Sequence, residues 1–295
     1  MIRNKYYQLG YDDPVYSDEF ILNKIRQLGF IVSKVTKIDE SGGEARVYVI
    51  DDQYILKVQR PQQLRRTTSL KKEVFFLNTI NNQIQPNLLV PQVLAYIKEN
   101  LFEAILLTKI KGSCYKNVSL SKEVEKQVLI DIGKNLAHIH QLDVNLFKKS
   151  KLIEDIDDNL NDLKIRFKTN LRKALKKTNV DRKTYHQVNK LIIQMSLSIN
   201  DEKYVALHSN PGPTHNFVGN DQFTGLIDFA DAYISHPVFD LRKWPTSVRN
   251  IVYSGYQEVI KVSNEFNQFY EVCYQIDQII ENLNQPLHNY AIAST

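Results

Sequence analysis

Glycine is scarce in this chain, with 10 among 295 residues, less than half the usual share of about 7%. Each one left is a candidate for a backbone position that nothing else tolerates. Cysteine is scarcer still. Cys114 and Cys273 stand far apart with no CxxC or Cys/His cluster around either, which excludes a disulfide scaffold and a zinc motif and fits a reducing, cytoplasmic setting. No apolar run reaches 18 residues, and the opening MIRNKYYQLGYDDP lacks a signal-peptide core, so no membrane partner is expected. Charge of one sign is also lacking: 38 basic residues face 33 acidic ones, a net +5. The local cluster of Arg60, Arg65 and Arg66 has no aromatic-interleaved basic stripe beside it, so nucleic acid is not an expected partner. Repeats and low-complexity tracts are absent.

What is present is ordinary globular material, 43% hydrophobic and 24% charged, enough to disfavour disorder and a fibrous architecture. Helical spacing over Val15 to Phe30 ends at Gly29. Val32 to Ile38, Arg46 to Ile50 and Tyr54 to Val58 are short β-branched and aromatic stretches parted by Gly42-Gly43 and Asp51-Asp52, the pattern of an antiparallel meander. Leu70, Val74, Leu77 and Ile80 predict a helix from about Ser69, and two more strands are predicted at Val93 to Ile97 and Phe102 to Leu107. From Ser121 the periodicity turns helical, with further helices expected over about 158–176, 181–197 and 247–284. Only Tyr204 to Pro245 breaks it, a loop-rich stretch holding four of the nine prolines and the sole tryptophan, Trp244. The layout predicted is a sheet-bearing N-terminal lobe over 1–108, a linking segment near 108–118, and a helical C-terminal lobe within 109–295.

Inside the loop-rich stretch, Leu207-His208-Ser209-Asn210-Pro211-Gly212-Pro213-Thr214-His215-Asn216 is followed by Gly225-Leu226-Ile227-Asp228-Phe229. This arrangement resembles the aminoglycoside phosphotransferase and choline kinase group of small-molecule kinases, whose catalytic loop reads His-Gly-Asp and is followed by Ile-Asp-Phe or Ile-Asp-Trp. Other pieces come in the same order. Ile55-Leu56-Lys57-Val58 looks like the strand bearing the ATP-binding lysine, and Glu73 like its ion-pair partner. Ser41-Gly42-Gly43-Glu44 occupies the phosphate-loop position, and Thr108 to Gly112, with Ile110, looks like the hinge against which a purine lies. Ala137-His138-Ile139-His140 and His236-Pro237-Val238-Phe239-Asp240-Leu241 are similar to two further family segments. The resemblance implies an α+β, protein-kinase-like bilobal fold, ATP or GTP with Mg²⁺ as cofactors, and a small-molecule hydroxyl acceptor as partner.

Chemistry supports these roles. Phosphoryl transfer needs cations on the triphosphate, a held metal and an aligned hydroxyl, with little covalent work left for protein. Lys57 is a point charge for the phosphates, with Glu73 steadying its flexible stem. Asp228, at a strand end, is a natural Mg²⁺ ligand; five residues after Asn210 stands His215, where the family usually has Asn and macrolide-kinase-like members carry His, so the resemblance implies His215 as the second ligand with the adjacent Asn216 as the alternative. His208 and Asp240 are expected to brace the catalytic loop.

The chief departure is Asn210, which stands where the family has its catalytic Asp. An amide accepts a hydrogen bond from a hydroxyl but cannot serve as a base near neutral pH. Asp231 is the first carboxylate to consider as a substitute, a helix cap or loop salt bridge being its other reading. Ser209 replaces the usual Gly. Two functions follow: phosphotransfer to a small polar molecule, or nucleotide binding by a catalytically impaired pseudokinase serving as a sensor or interaction module. The acidic cluster of Glu154, Asp155, Asp157, Asp158 and Asp162 reads equally as a solvated helix start, so the acceptor stays unnamed, as does the oligomeric state.

Overall fold

A computed structural model describes residues 13–40, 42–63, 69–83, 88–156, 160–177, 180–198 and 204–292. Ser41, Arg65, Arg66, Asp157 and Asp158, singled out above, lie outside them. Along the chain run α1 (Asp18–Gln27), β1 (Val35–Asp39), β2 (Ala45–Ile50), β3 (Tyr54–Gln59), α2 (Leu70–Gln83), β4 (Val93–Glu99), β5 (Phe102–Thr108) and β6 (Ser113–Cys114). Then come α3 (Lys122–His140), α4 (Val144–Ser150), α5 (Leu160–Lys177), α6 (Arg182–Ser198), β7 (Val205–Leu207), β8 (Asn216–Gly219), β9 (Gln222–Leu226), β10 (Tyr233–Ser235), α7 (Val238–Leu241), α8 (Thr246–Val259) and α9 (Asn264–Ile292). Among the described residues no helix is long and apolar enough to cross a membrane.

The chain divides into two compact units. One takes residues 1–119, 150–153 and 213–232; the other takes 120–149, 154–212 and 233–295. The first is built on a five-stranded antiparallel sheet of order β1-β2-β3-β5-β4. Alternation along the central β3 buries Leu56 and Val58 in a cluster with Ile21, Leu22 and Ile25 of α1, Tyr48 of β2 and Phe102 of β5, which leaves Lys57 for the other face. Ser17 caps α1 through the Phe20 N–H, and Ser69 caps α2 through the Lys72 N–H. A smaller sheet, β6-β8-β9, completes this unit. Its β8–β9 turn has Asn220 and Asp221 both at positive φ (50° and 59°), the left-handed pair that a tight hairpin turn needs and that Asn and Asp tolerate best.

The second unit is mainly helical, with β7 and β10 paired antiparallel. The stretch from Tyr204 to Pro245, expected to be loop-rich, thus contains four short strands and α7. The single helix expected over 247–284 is two helices. A run of β-branched residues, Val259, Ile260 and Val262, lowers helical propensity there; Ile260 is extended, and the Ser263 hydroxyl accepts the Phe266 N–H to start α9. Asp277 of α9 binds Arg242 and Arg249 at 2.8 and 2.7 Å. Burial would raise the Asp277 pKa, but the two guanidiniums overcome it and hold the carboxyl below its usual range.

Helices α3 and α8 meet through a reciprocal pair of glycines. A Cβ on Gly133 would stand 2.0 Å from the Val252 carbonyl oxygen, and one on Gly255 would stand 2.1 Å from that of Ile130. In an exposed helix Gly→Ala stabilises by about 1 kcal/mol. Here the sign reverses: Gly133→Ala or Gly255→Ala is expected to lower the melting temperature by roughly 3–10 °C, read by calorimetry.

Candidate functional site

The first unit brings Lys57, Glu73, Asp228 and His215 together. The Lys57 ammonium donates to Glu73 Oε2 at 2.6 Å and to Asp228 Oδ1 at 2.7 Å. Glu73 is fully buried on α2, and its second oxygen accepts the Phe229 N–H at 3.4 Å. The segment after β9 is therefore tied to β3 at Asp228 and to α2 at Phe229. Next to Glu73, the buried Lys72 donates to the Ala232 carbonyl at 2.7 Å, and Phe76 packs on Phe229 with ring centroids 5.1 Å apart. Asp228 itself has φ 76°, strained for a non-glycine residue.

Burial works against the Lys57 charge, but Asp228 and then Glu73 outweigh it, and its pKa lies above that of an ordinary lysine. Burial raises the Glu73 carboxyl; Lys57 opposes that rise and Asp228 adds to it, leaving the pKa above the usual carboxylate range. One cation between two carboxylates leaves an excess negative charge toward Asp228, the more exposed of the two.

The second oxygen of Asp228 faces His215 Nε2 at 3.5 Å. That spacing suits two neighbouring ligands on one small octahedral cation after a slight closing, since Mg²⁺ ligands stand about 2.1 Å from the ion. Among the described residues no three His, Cys, Asp or Glu side chains form a metal cage. One or two carboxylates, with phosphate oxygens and water for the rest, are the usual way Mg²⁺ is held beside a nucleotide, so Asp228 fits that ion and the His215 nitrogen is the less usual donor. Asn216 is buried at the start of β8.

Thr108 ends β5, its hydroxyl accepting the Gln92 N–H. Ile110 packs onto β9 at Gly225, and the neighbouring Lys111 carbonyl accepts the Thr224 hydroxyl at 2.6 Å, so the segment after β5 and the β8–β9 hairpin are fastened together. Gly42 and Gly43 lie between β1 and β2. Asp231 sits half-buried in the turn between β9 and β10.

The second unit holds Asn210, exposed, on a loop fixed from behind. Asp240 is fully buried and accepts the His208 N–H at 2.7 Å and the Ser209 N–H at 2.9 Å. The Asn210 N–H in turn donates to His208 Nδ1 at 3.2 Å. His140 Nε2 meets Asp240 at 3.1 Å, and its Nδ1 lies 3.1 Å from the Tyr256 hydroxyl. A carboxylate only accepts, so His140 donates from Nε2, and the tyrosine hydroxyl, which can donate or accept, meets Nδ1. The bracing expected of His208 and Asp240 is thus present, and His140 and Tyr256 extend it. Ser209 has φ 82°, the left-handed backbone that glycine would hold without strain. Lys72 and Tyr256 were missed as supports in the sequence because their partners lie 160 and 116 residues away.

An ammonium between two carboxylates beside an antiparallel sheet, with a helical unit carrying a braced His-x-Asn loop, defines a protein-kinase-like fold. The chain belongs to the phosphotransferase enzyme family, whose profile matches residues 35–251. A search of curated proteins finds no match. Solved structures share the fold. The macrolide 2′-phosphotransferase of Brachybacterium faecium, as apoenzyme, is 15% identical over 93% of each chain with a TM-score of 0.64. The GDP complex of wild-type aminoglycoside 2′-phosphotransferase-IIIa is 15% identical over 90% of each chain, TM-score 0.65. A spectinomycin phosphotransferase with ADP and spectinomycin is 14% identical over 91% of this chain and 88% of its own, TM-score 0.60.

Removing the Lys57 charge gives a pH-dependent test. In Lys57→Met, Glu73 stays buried without its cation, and its pKa rises further. A carboxyl whose folded pKa exceeds its unfolded value binds a proton on folding, so its cost is absent below the unfolded pKa and grows as pH climbs through the folded one. Relative to the native chain, Lys57→Met is expected to lose about 3 kcal/mol at pH 8 and clearly less at pH 5, measured by urea denaturation at both.

Proposed function

We propose that this family member transfers the γ-phosphate of ATP or GTP to a hydroxyl of a small polar molecule. The observation that carries the reading is Lys57, held 2.6 Å from Glu73 and 2.7 Å from Asp228, a fixed cation of the kind a triphosphate needs. Lys57 binds the α- and β-phosphates, the Gly42-Gly43 backbone meets phosphate oxygens, and the purine lies along Thr108 to Ile110. Asp228 and His215 hold Mg²⁺, which when bound neutralises charge on the phosphates. Asn210 accepts a hydrogen bond from the acceptor hydroxyl and aligns it. Its amide takes up no proton at neutral pH, so transfer proceeds on positioning and charge or with Asp231 as base.

One observation favours a second reading, nucleotide binding without turnover: the amide of Asn210 at the position of the family's acid. The solved relatives are named for macrolides, aminoglycosides and spectinomycin, and these head the acceptor panel to be assayed with ATP and GTP. Turnover with one acceptor is expected, and metal-dependent nucleotide binding with no turnover across the panel would favour the second reading. Asn210→Asp is expected to raise kcat by about 10²- to 10⁴-fold if the missing base is what limits the rate. A flat or lower rate would mean that the loop is built around the amide and would turn attention to Asp231→Asn.

A further inference from the structure

The connection between β1 and β2 is fastened by two arginines that the phosphotransfer reading leaves unexplained. Arg46 lies in β2 and Arg60 directly follows β3, and both are nearly buried, at 8% and 4% exposure. Arg60 Nη1 donates to the Gly42 carbonyl at 3.0 Å, and its backbone N–H donates to the Glu44 carbonyl at 2.8 Å. Arg46 Nε donates to Glu40 Oε1 at 2.6 Å, and Arg46 Nη1 donates to the Pro14 carbonyl at 2.9 Å. Arg60 Nη2 stands 3.8 Å from the same Glu40 oxygen. The connection is thus held at Glu40, Gly42 and Glu44. Burying two guanidiniums is expensive, and apolar residues of similar volume would fill the space at lower cost. What the arginines add is direction.

A trans peptide is planar, and its carbonyl and the following N–H point opposite ways; no described peptide bond is cis. With the Gly42 carbonyl turned toward Arg60, the Gly43 N–H is turned away from it. A peptide between two glycines flips with little steric resistance. A flip would put a carbonyl oxygen where an anion needs a donor, replacing attraction by repulsion.

We infer that Arg60 is a positioning residue that locks the Gly42–Gly43 peptide with its N–H available to a phosphate, and so governs affinity for the triphosphate rather than for the nucleoside. This rests on the reading of the Gly42-Gly43 connection as phosphate-binding. The test is calorimetric titration of the native chain, Arg60→Gln and Arg60→Lys with ATP and GTP, each with Mg²⁺, and with adenosine and guanosine. Arg60→Gln is expected to weaken triphosphate binding roughly tenfold, the scale of one charge-assisted hydrogen bond, with nucleoside affinity unchanged. Arg60→Lys, which keeps the charge and loses the fork, is expected to fall between and supplies the answer if Arg60→Gln does not fold. A folded variant with native triphosphate affinity, or with equal losses for triphosphate and nucleoside, overturns the inference. A native chain that binds neither triphosphate overturns the nucleotide reading, and this inference with it.

Discussion

A lysine ammonium with little access to water is unstable unless anions replace the solvent it has lost. For Lys57 that replacement is two carboxylates from separate parts of the chain, one on α2 and one just after β9. The requirement runs both ways, because Glu73 is completely enclosed and could not remain ionised without the lysine. The position of α2 against the sheet and the course of the chain through Asp228, Phe229 and Ala232 are thereby set by one shared charge. Lys72 and Phe76 on the same helix hold that course farther along.

A comparable economy governs the helical unit. One buried carboxylate, Asp240, orders two successive backbone N–H groups and a histidine. A carboxylate that accepts several such bonds is well satisfied despite burial. The support for the loop is complete although the residue it presents, Asn210, lacks the proton affinity of a carboxylate.

What was legible in the sequence was order. Lys57 between apolar strand residues, Glu73 on a following helix and Asp228 at a strand end all belong to local patterns, and those patterns place them on the elements observed. Ser209, read from the resemblance as standing in a glycine position, has the left-handed backbone that glycine adopts most easily. Long-range partnerships were not legible, because nothing near Arg60 or Lys72 distinguishes them from solvated basic residues. The break between α8 and α9 was overlooked for a different reason: apolar spacing continues through the Ile260 region and hides the Ser263 cap. The glycines at 133 and 255 carry no sign of each other in one dimension. Scarcity marked them as constrained, but only the crossing of α3 and α8 shows by what.

The residue following Asn210 has a consequence for the chemical age of the loop. Asparagine side chains commonly turn into aspartate when the next backbone nitrogen attacks the amide and closes a five-membered imide. Pro211 has a tertiary nitrogen with no hydrogen to give up, so that ring cannot close in the ordinary way. The amide at 210 is therefore shielded from the slow conversion that would turn it into an aspartate. Old and fresh preparations should carry the same group, and any carboxylate there would have to be written in the gene.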